Sequence, residues 1–505
     1  MASTSNKKTL SNRLALSAAV ATALLSGYGS RQAYAGSCTP DGIAGTYTCS
    51  GAVDDTTDSL QDLNPVTPFT ITTSNGFGLH VSDYYAPAIL IRGSGIFTDD
   101  YVSTIKGDFS GISADNNGSG AISITSNGVL SGVNSNNSQG LEVLNQNTAT
   151  DITIDSNVTS GATNGIYTQN LGTGNTIITS TTSTGGSAGI LAMHGIPFLE
   201  PPTFKALPGY ISITSAEAIG GSGNAIGAYN GVAGDITITS TVSATSTGPA
   251  AISAFALNGD VTVNAAYVSG GDKGIDVSAD TGDINITSTG EVTGSYKGIQ
   301  ADTDSGSITI NTEDIVTSEY YGINAESNDG NINITSADLV TATNHGDGIG
   351  INARAMGPGN IGANGNIVIS ASDVDGGYYG IKAISAVGNI NITSTGTVTS
   401  LYGYAVNASS NSGIVIIDMN DVSAYRGIKA YSGDSVNITV SGVVTTTDSN
   451  TNYATIDATG GNNTTITLNS GAAVSAASGI AIRSNQAANI TVNSGASITG
   501  SVLTG

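Results

Sequence analysis

Five tyrosines, Tyr296, Tyr320, Tyr378, Tyr402 and Tyr425, stand shortly before successive apolar anchors, with Lys297, Tyr321, Tyr379 and Arg426 beside four of them. If the chain stacks on itself, these become a ladder of rings on one exposed edge. Such a ladder can pack against sugar rings or partner side chains, and the simpler account is self-stacking that shields a Gly-lined corner. A second candidate contact is the segment 194–209, HGIPFLEPPTFKALPG, which carries Phe198 and Phe204 and four of the ten prolines. Proline cannot donate to a ladder, so the segment is expected to leave the sheet as a loop, and loops on rigid scaffolds often carry binding. A second insertion, 344–365, holds Gly-Pro-Gly, Arg354 and Met356.

Acid–base chemistry finds little to work with. Enzymes that cleave polysaccharides need clustered carboxylates with Arg, Lys or His beside them. The three histidines, His80, His194 and His345, are far apart, and no carboxylate pair recurs next to a basic residue. Asp54-Asp55 and Asp99-Asp100 read as turn residues, because neighbours in a strand point to opposite faces. Gly185-Gly186-Ser187-Ala188-Gly189 matches the nucleophile elbow in letters only, since the elbow needs a strand, a strained turn and a helix. Gly220-Gly221-Ser222-Gly223-Asn224-Ala225 begins like a calcium-binding nonapeptide, but Ala225 stands where the ligand Asp is needed. No catalytic, cofactor-binding or metal-ligating set is expected.

The elements that position these residues come from a repeat. Around 283–340, Ile284, Ile308 and Ile332 fall 24 residues apart, as do Val292, Val316 and Val340, and Ile299 and Ile323 keep the same step. Each unit reads Ile-x-Ile, then Val, then Gly-Ile-x-Ala, with period-two alternation between neighbouring apolar residues. That makes three short strands per unit. None can bury its apolar face alone, but stacking units at about 4.8 Å joins each strand to its equivalents and encloses one core. The fold expected is all-β, a right-handed three-sided parallel β-helix. Its first strand is placed at Ile122, Ile152, Ile177, Ile211, Ile236, Val261, Ile284, Ile308, Ile332, Ile367, Ile390, Ile414, Val436, Ile466 and Ile490, which gives 15 coils. At that rise they form a rod of roughly 70 Å. An outward polar column, Thr237, Asn285, Thr309, Asn333 and Asn391, lies along it; regular Thr-x-Thr arrays resemble ice-binding surfaces, but Asn interrupts the rank.

Residues 1–35 have a basic opening, an apolar run and Ala33-Tyr34-Ala35, the pattern of a secretory signal peptide. They hold four of the 14 basic residues and none of the 38 acidic ones, so the remainder carries 10 − 38, a net charge of −28. Such a chain repels nucleic acid and anionic lipid. Cys38 and Cys49 bracket a polar, turn-rich span and are expected to form one disulfide in an exported protein, stapling an N-terminal cap over 36–66. Residues 67–120 are expected to form irregular first coils, and 121–505 the regular helix.

A signal peptide, a Cys-bracketed segment ending TYTCSG and a long Gly/Thr/Asn-rich β-helix resemble the passenger domains of bacterial autotransporters. The resemblance spans the chain but is architectural, and no active-site residue carries over. It implies an exported, surface-displayed or secreted adhesin-like rod, with a host-cell or matrix protein or a glycan as partner. It also implies a C-terminal translocator barrel in the natural context, which this sequence does not contain. The last coil reads as lacking its third side, which would leave an open end able to self-associate. A secreted polysaccharide-degrading β-helix enzyme is the alternative.

Overall fold

The computed structural model describes residues 36–54, 58–64, 68–134, 137–195, 208–344, 346–356 and 365–505. They contain no helix and form a parallel β-solenoid of about 17 turns. Alternation sets each strand's inner face. In Ile284–Ser288, Ile284, Ile286 and Ser288 are buried and Asn285 is exposed. One coil consists of Ile284–Ser288, Val292–Gly294 and Lys297–Ser305, the next of Ile308–Thr312, Val316–Ser318 and Tyr321–Ser327. They pair in parallel with Ile284 opposite Ile308, Val292 opposite Val316 and Ile299 opposite Ile323, so the apolar columns of the sequence are the three inner walls. Each large side chain buried this way contributes roughly 1.5–3 kcal/mol, and no coil holds enough of them to stand alone.

The coils before Ile122 keep the same register: Phe69 lies opposite Gly95 and Gly95 opposite Ile122, while Phe97 lies between Ile71 and Ile124. Asp99 is no turn residue. It ends the strand Gly95–Asp99 fully buried, and its carboxylate accepts hydrogen bonds from the hydroxyls of Thr73 (2.6 Å), Ser103 (2.7 Å) and Ser126 (3.0 Å). Three donors replace the water that burial removes.

Four anchors sit elsewhere than the repeat suggested, Ile490 among them, since it lies opposite Ile466 while Ala488 takes the first inward place opposite Thr464. Thr176, not Ile177, lies opposite Ile152 and Ile211, and Val415, not Ile414, lies opposite Ile390. Where apolar residues run consecutively, as in Ile177-Ile178 and Ile414-Val415-Ile416-Ile417, period two has two solutions, and a one-residue slip exchanges the faces. Ile466 is the second inward residue of its strand, because Thr464 occupies the first place, opposite Val436. The insertion 344–365 is not a single loop either. It contains the regular strand Ile349–Ala355, whose Gly350-Ile351-Asn352-Ala353 repeats the anchor template, so Arg354 lies on the sheet.

The final coil does have a third side: Val502 pairs with Ile482 and Thr504 with Ser484. With no coil stacked on it, Val492, Val502 and Leu503 are nearly half exposed. At the other end Ser37–Pro40 runs antiparallel to Thr46–Ser50, covering the edge of the first side's opening strand. Cys38 faces Cys49 there, and the disulfide is formed. Replacing both cysteines with serine is expected to cost about 3 kcal/mol, the scale for a short closed loop. Hydrogen exchange would register the loss at 37–50 while the coils beyond residue 120 stay protected, because coupling in a solenoid passes between neighbours only.

Candidate ligand surface

The third side of each coil carries the chemistry. Its anchor alternates inward Ile, outward polar residue, inward Ala, outward polar residue, and parallel pairing stacks like positions into rows along the rod. One outward row runs Gln300, Asn324, Asn352, Lys382, Asn407, Lys429, Asp457 and Arg483. A second runs Asp302, Glu326 and Arg354. Two positions before the anchor Ile stand Lys297 and Tyr321, in register with each other, and Tyr404 and Arg426, likewise in register.

Amides form the floor of this surface. Asn324 donates to Gln300 Oε1 (3.0 Å) and to Glu326 Oε1 (3.2 Å), and Asn352 donates to Asn324 Oδ1. Gln300, Asn324 and Asn352 are no more than 5 % exposed although they face outward. Lys297 Nζ donates to Gln300 Oε1, and Gln300 Nε2 donates to Asp302. Two atoms are left over: Asn352 Oδ1 and Arg354 Nε are buried without a hydrogen-bond partner. Each carries the desolvation cost of an unmatched polar atom.

The five tyrosines share the corner that leads into this side, but they do not form one continuous stack. Tyr296 and Tyr320 touch, with ring centroids 5.0 Å apart, and Tyr321 meets Tyr296 edge-on at 6.1 Å. The coil containing Ile349 then separates Tyr321 from Tyr379, and Tyr378 packs edgewise on its own neighbour Tyr379 at 4.6 Å. Tyr425 receives Arg426 at 5.6 Å, and Tyr402 is 54 % exposed. The aromatic surface therefore consists of separate clusters, each with a cation: Lys297 over Tyr296 and Tyr321, Lys382 over Tyr379, Lys429 over Tyr404. Phe198 and Phe204 lie outside the described residues, as does His345.

Burial shifts the charges. It pushes the Asp302 carboxyl up to about 6, helped by Glu326 and Asp276 and opposed by the Gln300 hydrogen bond and Lys297. It also pushes the Lys297 and Lys382 ammonium groups down, with Lys273 adding to the fall at Lys297 and Arg354 at Lys382. Burial raises the Tyr404 phenol to about 12 and raises the Asp457 carboxyl too. For Asp302 the folded value lies above the ordinary 3.8, so ionisation opposes folding: the gain from its neutral form is full below 3.8 and is lost as pH rises through about 6. Stability measured between pH 7 and pH 5 should therefore rise as pH falls, and Asp302→Asn should flatten that rise.

How one-sided the basic residues are becomes visible only in the fold. Among the described residues Arg92, Lys273, Lys297, Arg354, Lys382, Arg426, Lys429 and Arg483 all stand on third-side strands or at their entrance, and only Lys106 does not. Arg354 pairs with Glu326 at 3.8 Å and Lys273 with Asp276 at 2.8 Å, so carboxylates do adjoin basic residues here. Glu326 and Arg354 are 28 residues apart in the chain, which hid that pair, whereas Lys273 and Asp276 are only three apart. The other motifs dissolve. Gly185 ends one strand and Ala188 begins the next, so the elbow letters mark a turn between strands. His194 occupies a buried column with Asn116, Asn145, Asn170 and Asn230, and His80 lies in a distant strand. Among the described residues no three His, Cys, Asp or Glu are grouped to hold a metal ion. No family model, curated protein or solved structure matches this chain.

Proposed function

We propose that the chain is an exported binding rod, surface-displayed or secreted and adhesin-like, which contacts its partner through the outer face of the third side. The observation that carries this reading is the segregation of cations and buried outward amides onto one face of an acidic solenoid, with tyrosine clusters along the corner that leads into it. Elsewhere the outward rows are short and mostly uncharged, as in Ser212, Thr237, Thr262, Asn285 and Thr309 on the first side. Solubility alone gives no reason to sort basic residues to one side. The partner is a host-cell or matrix component, protein or glycan. Changing Tyr296, Tyr320, Tyr378, Tyr402 and Tyr425 together to serine is expected to lower binding of the labelled rod to cells at least tenfold with the β-rich circular dichroism retained. Unchanged binding would leave the rod as a spacer.

A second reading, a polysaccharide-degrading enzyme, has one observation in its favour. Asp302 and Glu326 are opposite one another in adjacent coils, about 5 Å apart at the backbone, and burial raises the Asp302 carboxyl to about 6. Two neighbouring carboxyls, one of them raised, are the groups that glycoside cleavage uses. Release of reducing ends that Asp302→Asn abolishes would favour this reading over pure binding.

A further inference from the structure

We propose that the third-side face between Arg354 and Lys429 holds a linear anionic polysaccharide lying along the rod axis, its charged groups on Lys382 and Lys429 and its hydroxyls on the amide row between and before them. This rests on the reading of the chain as a binding rod.

Four observations lead here. Among the described residues neither the Lys382 nor the Lys429 ammonium has a carboxylate within ion-pair distance, whereas Lys273, Arg354, Arg426 and Arg483 each have one. Lys429 does stand opposite Asp457 of the next coil, but the near partner of that carboxylate is Arg483 at 3.8 Å. Lys382 is flanked in its row by Asn352 and Asn407 only, and a cation so placed on a partly dried surface can take an anion. Lys382 and Lys429 are also two coils apart in register, with Asn407 between them. Two coils are roughly 10 Å. A straight polymer that advances about one sugar per coil would place the charges of two sugars, one sugar apart, over the lysines and the sugar between them over Asn407.

The third observation is the outward amide row. Asn352 lies opposite Lys382, and the half-buried Asn407 stands between the two lysines. A sugar hydroxyl both donates and accepts, as an amide side chain does. The fourth is the aromatic flank. Tyr379 and Tyr404 carry the two lysines on their faces, and Tyr402 and Tyr431 are 54 % and 43 % exposed. Rings of this kind cover the apolar faces of sugars, and a peptide or a folded acidic protein has no equivalent demand for a flat hydroxyl-matching floor. The anion is a carboxylate or a sulfate, which share this geometry.

The test uses the whole exported chain and three polymers: polygalacturonate, dextran sulfate and methyl-esterified polygalacturonate. Binding is expected to polygalacturonate or to dextran sulfate, to fall at least tenfold in Lys382→Gln/Lys429→Gln, and to weaken from 50 to 300 mM salt; which polymer binds identifies the anion. The Tyr267→Ser variant, on an unrelated stretch, should bind as the parent does. Equal binding to the esterified polymer, or no effect of the double substitution, overturns the proposal. If none of the three binds while the rod still binds cells, the proposal falls and the binding rod stands; if cells are not bound either, both fall.

Discussion

Gly330→Ala is expected to unfold the middle of the rod. Gly330 sits at the corner where the third side of one coil passes to the first side of the next, and corresponding glycines, Gly259, Gly282, Gly306, Gly365, Gly388 and Gly413, form a column there. A Cβ on Gly330 would lie 1.8 Å from the carbonyl oxygen of Gly306 and 2.3 Å from its carbonyl carbon. Both are backbone atoms held by the ladder, so no rotamer relieves the clash and the coils must separate. Overpacking of this kind costs about 3 kcal/mol or more. In a solenoid the damage falls on the interface between the coils of Gly306 and Gly330, which thermal unfolding would report as a lost cooperative unit. Gly118→Ala is the control, since its nearest neighbour is the Asn116 side chain at 3.6 Å and the added methyl fits.

Arg426→Ala is expected to cost about 3–5 kcal/mol, the penalty for leaving a buried charge without its partner. Arg426 Nε donates to Asp448 Oδ2 at 3.0 Å, and the Asp448 side chain is only 5 % exposed. The guanidinium also lies 3.6 Å from the Tyr453 ring centroid and 5.6 Å from those of Tyr404 and Tyr425. Burial by itself would raise the Asp448 carboxyl, but the Asn450 N–H and the Arg426 hydrogen bond and charge hold it below the ordinary range. Its contribution is therefore present above the ordinary carboxylate pKa and is lost as pH falls through the depressed folded value. Arg426→Lys keeps the charge and loses the planar stack, so it should fall between the parent and Arg426→Ala. Denaturant melts of the three proteins separate these outcomes.

How much of this was legible depends on what kind of signal each residue sends. Ile284, Ile308 and Ile332 announce the solenoid because a constant step and alternating polarity admit one arrangement. Ile177 and Ile414 misled because consecutive apolar residues let the strand be read in either phase, and neighbours in space decided: Thr176 stacks on Ile152, and Val415 on Ile390. The tyrosine corner was visible as a spacing, yet the extra residues before Ile349 break its continuity, which a count of offsets could not reveal. The cation rows were not visible at all. Glu326 and Arg354 become neighbours across a step of 28 residues, and Lys382 and Lys429 fall into one row, two coils apart, across 47, through coils of unequal length. Once each anchor is fixed, the outward residues one and three places after it can be aligned coil by coil, and that is the signal a sequence reading would need.

The claim at the centre of this account is that the third side, and no other, is the contact face. Hydroxyl-radical footprinting of the rod, free and bound to cells, tests it directly because tyrosine oxidises readily and is spread over the surface. Binding should protect Tyr378, Tyr402 and Tyr431 and leave Tyr84, Tyr101 and Tyr267, which are 75 %, 42 % and 40 % exposed, reacting as in the free rod. Protection of Tyr84 or Tyr267 with Tyr378 and Tyr402 unchanged would contradict the account.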